Sequence, residues 1–206
     1  MGVRGRWFES SHLDKLAVVA QLVEQLTCNE QVTGSNPVNG SNFMDIQIID
    51  NILEESFCDH LIHKYSEANP DYTNHATWGE YIVKNSTEVL CNYLTPVDLD
   101  VLKNSIQSIC EFSSIDFAIF YRWKYQAYIP VHTDEYHTQG ATIYLNKDWE
   151  PNDGGFFLYE DNNEWHSITP LYRRMVIVDR KIKHLTTPNT NSDNYRLSLQ
   201  IWNDSK

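Results

Sequence analysis

Beyond Asp116 the chain changes period, and that change limits the fold more than any other feature of the sequence. The segments FAIFYRWKYQAYIPVHTD, ATIYLN, GGFFLYE, RMVIVDR and YRLSLQIW are rich in aromatic and β-branched residues. Turn clusters such as Asn152-Asp153-Gly154-Gly155 and Pro188-Asn189-Thr190-Asn191 separate them, so they read as short strands. Several such strands in succession point to a double-stranded β-helix, the jelly-roll form of two packed sheets. Before them, Asp45 to Leu53 reads as a strand, and Glu54 to Ala68 has helical spacing through Phe57, Leu61, Ile62 and Tyr65. Asn69-Pro70-Asp71 is expected to end that helix. Pro96-Val97-Asp98 opens a second helix with Leu99, Leu102, Ile106 and Ile109 on one face. The expected class is therefore α+β, a jelly-roll core with flanking helices on its N-terminal side. The polar, aromatic stretch from Asn74 to Ser86 reads as a loop or hairpin that can lie over a site.

The 206 residues suffice for one core, and 41% hydrophobic content fills it. No run of about 18 apolar residues occurs, so no segment is read as spanning a membrane. A net charge of -12 speaks against a broad surface for phosphate backbones, with Arg173, Arg174, Arg180, Lys181 and Lys183 as the local basic exception. Cys28, Cys58, Cys91 and Cys110 show no CxxC spacing and are expected as free thiols of a reducing, cytoplasmic compartment.

The first 43 residues read as a different text. Ala17 to Val38, AVVAQLVEQLTCNEQVTGSNPV, resembles a string that recurs where a transfer-RNA gene is translated by mistake. On that resemblance residues 1–43 are an extension outside the domain, Met44 is the expected start, and residues 44–206 form the domain. The competing reading is an amphipathic helix over His12 to Cys28, with Leu13, Leu16, Ala17, Ala20 and Val23 at helical intervals.

The candidate chemistry lies in His132-Thr133-Asp134, His184 and Arg196. In a strand, residues i and i+2 face the same way, so His132 and Asp134 can chelate one ion while Thr133 points elsewhere. His184, after the apolar run Met175 to Val178, supplies a second imidazole from a later strand. Two histidines and one carboxylate are the facial donor set of a mononuclear iron(II) site, which keeps coordination positions open. His137 and His166 are the nearest rival ligands and are expected to be solvated. Arg196 shares its parity with Ser198, Gln200 and Trp202, which puts all four on the wall of a polar pocket, opposite Leu197, Leu199 and Ile201. Gly154-Gly155 reads as a turn that permits positive φ, and Trp123, Tyr125 and Tyr128 as packing aromatics.

Residues from about Phe117 to Trp202 resemble the prolyl-hydroxylase branch of the 2-oxoglutarate and iron(II)-dependent oxygenases. Carrying the resemblance are Tyr121, His132-Thr133-Asp134, the run Tyr144-Leu145-Asn146-Lys147-Asp148-Trp149, Gly154-Gly155, Asp179-Arg180 before His184, and Arg196 with Trp202 six residues later. The resemblance implies Fe(2+) at His132, Asp134 and His184, and 2-oxoglutarate and O2 as co-substrates. The distal carboxylate of 2-oxoglutarate would meet Arg196 and Tyr144, with Tyr121 at the pocket edge and Trp202 lining it. It implies hydroxylation of a C–H bond, of a prolyl residue in a peptide or protein or of a small-molecule equivalent, with release of succinate and CO2. L-Ascorbate commonly rescues oxidised iron in that family. Halogenating relatives lack the carboxylate, so Asp134 favours hydroxylation. The stretch from Asp134 to Tyr144 is shorter, and that from His184 to Arg196 longer, than in the oxygen-sensing members. Two other readings belong to different classes: a nucleic-acid dealkylating oxygenase, against which stand Trp202 where those enzymes carry an arginine and the acidic charge; and a catalytically silent jelly-roll binding module, for which folding alone would not require Arg196.

Overall fold

The computed structural model describes residues 46–74, 78–84, 86–107, 115 and 117–203. The expectations for residues 1–43, for Cys110 and for Ile109 lie outside these. Among these residues, eleven strands and three α-helices run in chain order as β1 (Ile46–Ile49), α1 (Glu55–Tyr65), β2 (Tyr72–Thr73), α2 (Glu80–Lys84), β3 (Val89–Tyr93), α3 (Pro96–Ile106), β4 (Ala118–Trp123) and β5 (Ile129–His132). They continue as β6 (Gln139–Tyr144), β7 (Phe157–Asp161), β8 (Glu164–Ile168), β9 (Met175–Asp179), β10 (His184–Thr186) and β11 (Arg196–Asn203). A seven-stranded sheet has the order β1-β9-β6-β11-β4-β3-β2, and a four-stranded sheet the order β5-β10-β7-β8. Every strand pairing within them is antiparallel. This is the jelly-roll core with flanking helices.

Alternation along β11 shows how the larger sheet divides the molecule. Leu197, Leu199 and Ile201 bury on its outer face with Phe120, Ile143, Met175 and Ile177, under Cys58, Leu61 and Tyr65 of α1 and Leu102 and Ile106 of α3. The opposite parity, Arg196, Ser198, Gln200 and Trp202, faces the inside of the roll. There Tyr144, Val176 and Val178 meet Phe157 and Ile168 of the smaller sheet.

Two N-terminal boundaries differ from the sequence reading. The first helix stops at Tyr65, and the Ser66 N–H closes its last turn on the Ile62 carbonyl at 3.0 Å. Pro70 comes after a bend that has already ended it. The stretch from Asn74 to Ser86 contains the short helix α2 and packs an aromatic ring inward, Trp78 lying 5.9 Å from both Tyr121 and Trp123.

A buried carboxylate ties α1 to α3. Asp98 accepts hydrogen bonds from Tyr65 Oη (2.5 Å), Lys64 Nζ (2.7 Å) and Thr95 Oγ1 (2.7 Å), and lies 2.9 Å from His60 Nε2. Thr95 also caps α3, accepting from the Asp98 N–H. Burial alone would raise the Asp98 pKa, but the bonds from Lys64, Tyr65, Thr95 and His60 outweigh it and hold the carboxyl well below the usual range. Because the folded pKa is depressed, this stabilisation is complete above the unfolded value near ~3.9 and is lost as pH falls through the folded value. Asp98→Ala is expected to cost about 3 kcal/mol at neutral pH and to flatten the acid limb of the stability curve. Urea melts of both proteins from pH 7 down to pH 3 check this; equal slopes would contradict it.

Candidate metal centre and anion pocket

The smaller sheet brings the two histidines together. His184 on β10 lies directly opposite His132 on β5 in the ladder, and their ring centroids are 4.2 Å apart. Asp134 follows β5 by two residues, with Oδ1 3.7 Å from His132 Nε2 and Oδ2 3.8 Å from His184 Nε2. One ligand atom from each residue lies within 4.8 Å of the others, a spacing able to hold a metal ion. Thr133 turns away, its hydroxyl donating to Glu135 Oε1 at 3.3 Å.

The backbone orients both rings in the same way. His132 Nδ1 is 2.9 Å from the Pro130 carbonyl, and His184 Nδ1 is 2.9 Å from the Ile182 carbonyl. A carbonyl only accepts, so each Nδ1 carries the proton and each Nε2 keeps a lone pair for the metal. Burial pushes the His184 pKa down to about 4, neighbouring His132 pushes the same way, and Asp134 opposes them. The imidazole is therefore neutral at ordinary pH, the form that binds metal. Phe157 stacks on it at 5.2 Å.

At the start of β11 a second arrangement lies between the sheets. Arg196 is 2% exposed, its guanidinium carbon 4.7 Å from the centroid of Trp123 and 5.2 Å from that of Tyr144. Burial lowers the Arg196 pKa and raises that of Tyr144, each group drawing the other back. The two are close, but no hydrogen bond of good geometry joins them: Arg196 Nε, Arg196 Nη1 and Tyr144 Oη are all buried without a partner. Buried donors and cations left this way are costly, and a guanidinium fork beside a phenol hydroxyl matches a carboxylate. Gly155, with φ +68°, makes this placement possible, since a Cβ there would fall 2.5 Å from Arg196 Cδ. The glycine pair is thus more than a turn.

Tyr121 and Trp202 lie on the same inner face, Tyr121 opposite Ser198 with its ring 5.7 Å from that of Trp123. Trp202 is six residues along the strand from Arg196, about 20 Å at strand rise. With Trp78, Phe117, Tyr72, Tyr93, Ile119 and His137 they line a cavity of about 210 Å³. His137 is not simply solvated, because its ring packs 5.5 Å from Trp202. His166 likewise stacks on Tyr159 at 5.2 Å. Neither joins the three-residue cluster. Sequence reasoning also missed Gly140, where a Cβ would lie 2.8 Å from Asp134 Oδ2.

No protein-family model matches the sequence, and no curated protein is similar to it in sequence. Solved structures do match. A prolyl-4-hydroxylase of Pseudomonas putida superposes with a TM-score of 0.59 at 16% identity, covering 91% of this chain and 100% of that one. A prolyl hydroxylase from Trichoplax adhaerens, in complex with a peptide fragment of the hypoxia-inducible factor oxygen degradation domain, gives 0.58 at 15% identity, covering 95% and 93%. HygX of Streptomyces hygroscopicus, with nickel and 2-oxoglutarate bound, gives 0.57 at 8% identity over 78% and 83%. The fold is that of the 2-oxoglutarate and iron(II) oxygenases. At these identities the likeness concerns architecture, and the chemistry has to be argued from the side chains. Among the described residues no helix is long and apolar enough to cross a membrane.

Proposed function

We propose that this chain is an iron(II)- and 2-oxoglutarate-dependent oxygenase that hydroxylates a C–H bond. The observation that carries this reading is the buried Arg196 guanidinium, its Nε and Nη1 unpartnered, beside the unpartnered Tyr144 hydroxyl in the same roll as a two-histidine, one-carboxylate cluster. The donor set fits divalent iron, and three ligands leave positions for a chelating co-substrate and oxygen. Arg196 and Tyr144 fit the far carboxylate of 2-oxoglutarate, which would bond one edge of the guanidinium and the Tyr144 hydroxyl and neutralise the buried cation. When bound, iron with 2-oxoglutarate and oxygen supplies the oxidising power for hydroxylation, releasing succinate and CO2.

The chain's own residues bind, orient and exclude water. His132 and His184 present Nε2 lone pairs fixed by their Nδ1 bonds to carbonyls, and Asp134 supplies the charge. Phe157, Ile168, Val176 and Val178 make the apolar wall between the sheets. That wall keeps the dielectric low and strengthens the pairing between Arg196 and a carboxylate.

The substrate we favour is a prolyl residue in a peptide or protein, or a small molecule of similar shape. Supporting it are the fold shared with the Pseudomonas and Trichoplax prolyl hydroxylases and the aromatic cavity around Tyr121 and Trp202, which among the described residues holds no acidic or basic side chain apart from the imidazole of His137. A cytoplasmic setting fits Cys58 and Cys91, free and buried, with thiol pKa values that burial pushes up to about 11 and about 12. Incubation of proline-containing peptides and of free proline with the protein, iron(II), 2-oxoglutarate, ascorbate and oxygen should give a product heavier by one oxygen atom, with matching succinate. Succinate formed without oxidation of any prolyl compound would remove the prolyl assignment and leave the oxygenase reading.

A further inference from the structure

We propose that Gly140 is a positioning residue for the Asp134 carboxylate, holding open the space that the metal-binding oxygen occupies. The inference rests on the reading of His132, Asp134 and His184 as a metal site. Gly140 lies inside the larger sheet, paired with Trp202 of β11 on one side and Val178 of β9 on the other. Its backbone is ordinary extended strand, so no φ requirement explains a glycine, and glycine weakens a central strand. What explains it is room. A Cβ at this position would lie 2.8 Å from Asp134 Oδ2, whereas its next neighbours, Gln200 Nε2 and Val178 Cγ1, stand at an ordinary 3.7 Å. Only the carboxylate is in the way.

The same space is bordered by an ordered amide. Thr142 Oγ1 donates to Gln200 Oε1 at 2.6 Å, which leaves Gln200 Nε2 on the side of Gly140. A methyl group at 140 therefore cannot be relieved by moving toward Gln200 or Val178 without new crowding. The carboxylate must yield, by about half an ångström or more to reach normal contact. Metal–ligand distances hold within about 0.2 Å, so that displacement matters to an ion more than to the fold.

The test is a double-mutant cycle read two ways. Iron(II) alone is titrated anaerobically into wild type and Gly140→Ala, and the expected result is at least about tenfold weaker binding in the variant, the scale on which misplaced ligands act. A folded Gly140→Ala that binds iron(II) as tightly as wild type overturns the proposal. Thermal melts of the metal-free proteins cover the case in which Gly140→Ala folds poorly. With the carboxylate gone, Gly140→Ala in an Asp134→Ala background should be neutral or stabilising, because alanine suits a strand better than glycine. Gly140→Ala that costs as much stability in the Asp134→Ala background as in the wild type overturns the proposal. Failure of the wild type to bind iron(II) would sink the functional reading instead, while the melts still report the contact between 140 and 134.

Discussion

Arg196→Met is expected to raise the 2-oxoglutarate concentration needed for half-maximal succinate production by about 100-fold, without destabilising the metal-free protein. The first effect follows from losing a charge-assisted, two-point interaction in a secluded pocket, worth about 3 kcal/mol, and each 1.4 kcal/mol is about tenfold. The second follows from the unliganded state, where Arg196 is a fully buried cation with Nε and Nη1 unpartnered. Methionine of similar length removes that cost and keeps the packing on Trp123 and Tyr144. Arg196→Lys restores charge but not the planar fork, so an intermediate requirement is expected. Titrating 2-oxoglutarate in a succinate assay, beside thermal melts of the metal-free proteins, checks both halves. An unchanged requirement would contradict the anion-pocket assignment, and a melt several degrees lower would mean that the aromatic stack accounts for the arginine.

His184→Ala and Asp134→Ala are each expected to reduce succinate formation to background while the fold persists. Both act on the metal rather than the core. Asp134 sits in the turn after β5, outside the apolar clusters, with its carboxylate directed at the two imidazoles. His184 is buried, so its loss leaves a cavity costing about 2 kcal/mol, a modest penalty within the stability of a single domain. Circular dichroism should be unchanged for both. Succinate production above a tenth of wild type in either variant would contradict the ligand assignment.

What could be read in the sequence and what could not divide along a physical line. Period and parity are local, so the alternation of Leu197, Leu199 and Ile201 with Arg196, Ser198, Gln200 and Trp202 gave the correct faces of β11. The spacing of Leu102 and Ile106 gave the buried face of α3. Even the relation of His132 to Asp134 needed only the two-residue repeat of a strand. Which strands become neighbours is not local. β11 inserts between β4 and β6, far earlier in the chain, and β10 brings His184 opposite His132. Contacts across such pairings had no signature: the space over Gly140, the approach of Gly155 to Arg196, the stacking of His166 on Tyr159, and the Asp98 node with residues of α1. Helix α1 ends at Tyr65, in a bend over residues 66–68 that precedes Pro70.

Anaerobic addition of iron(II) to the metal-free protein, followed by 2-oxoglutarate, tests the central claim most directly. The expected result is one iron per chain and a weak visible charge-transfer band that requires both additions, is absent in Asp134→Ala, and needs far more 2-oxoglutarate in Arg196→Met. Folded wild-type protein that binds no iron(II) and develops no band would contradict it.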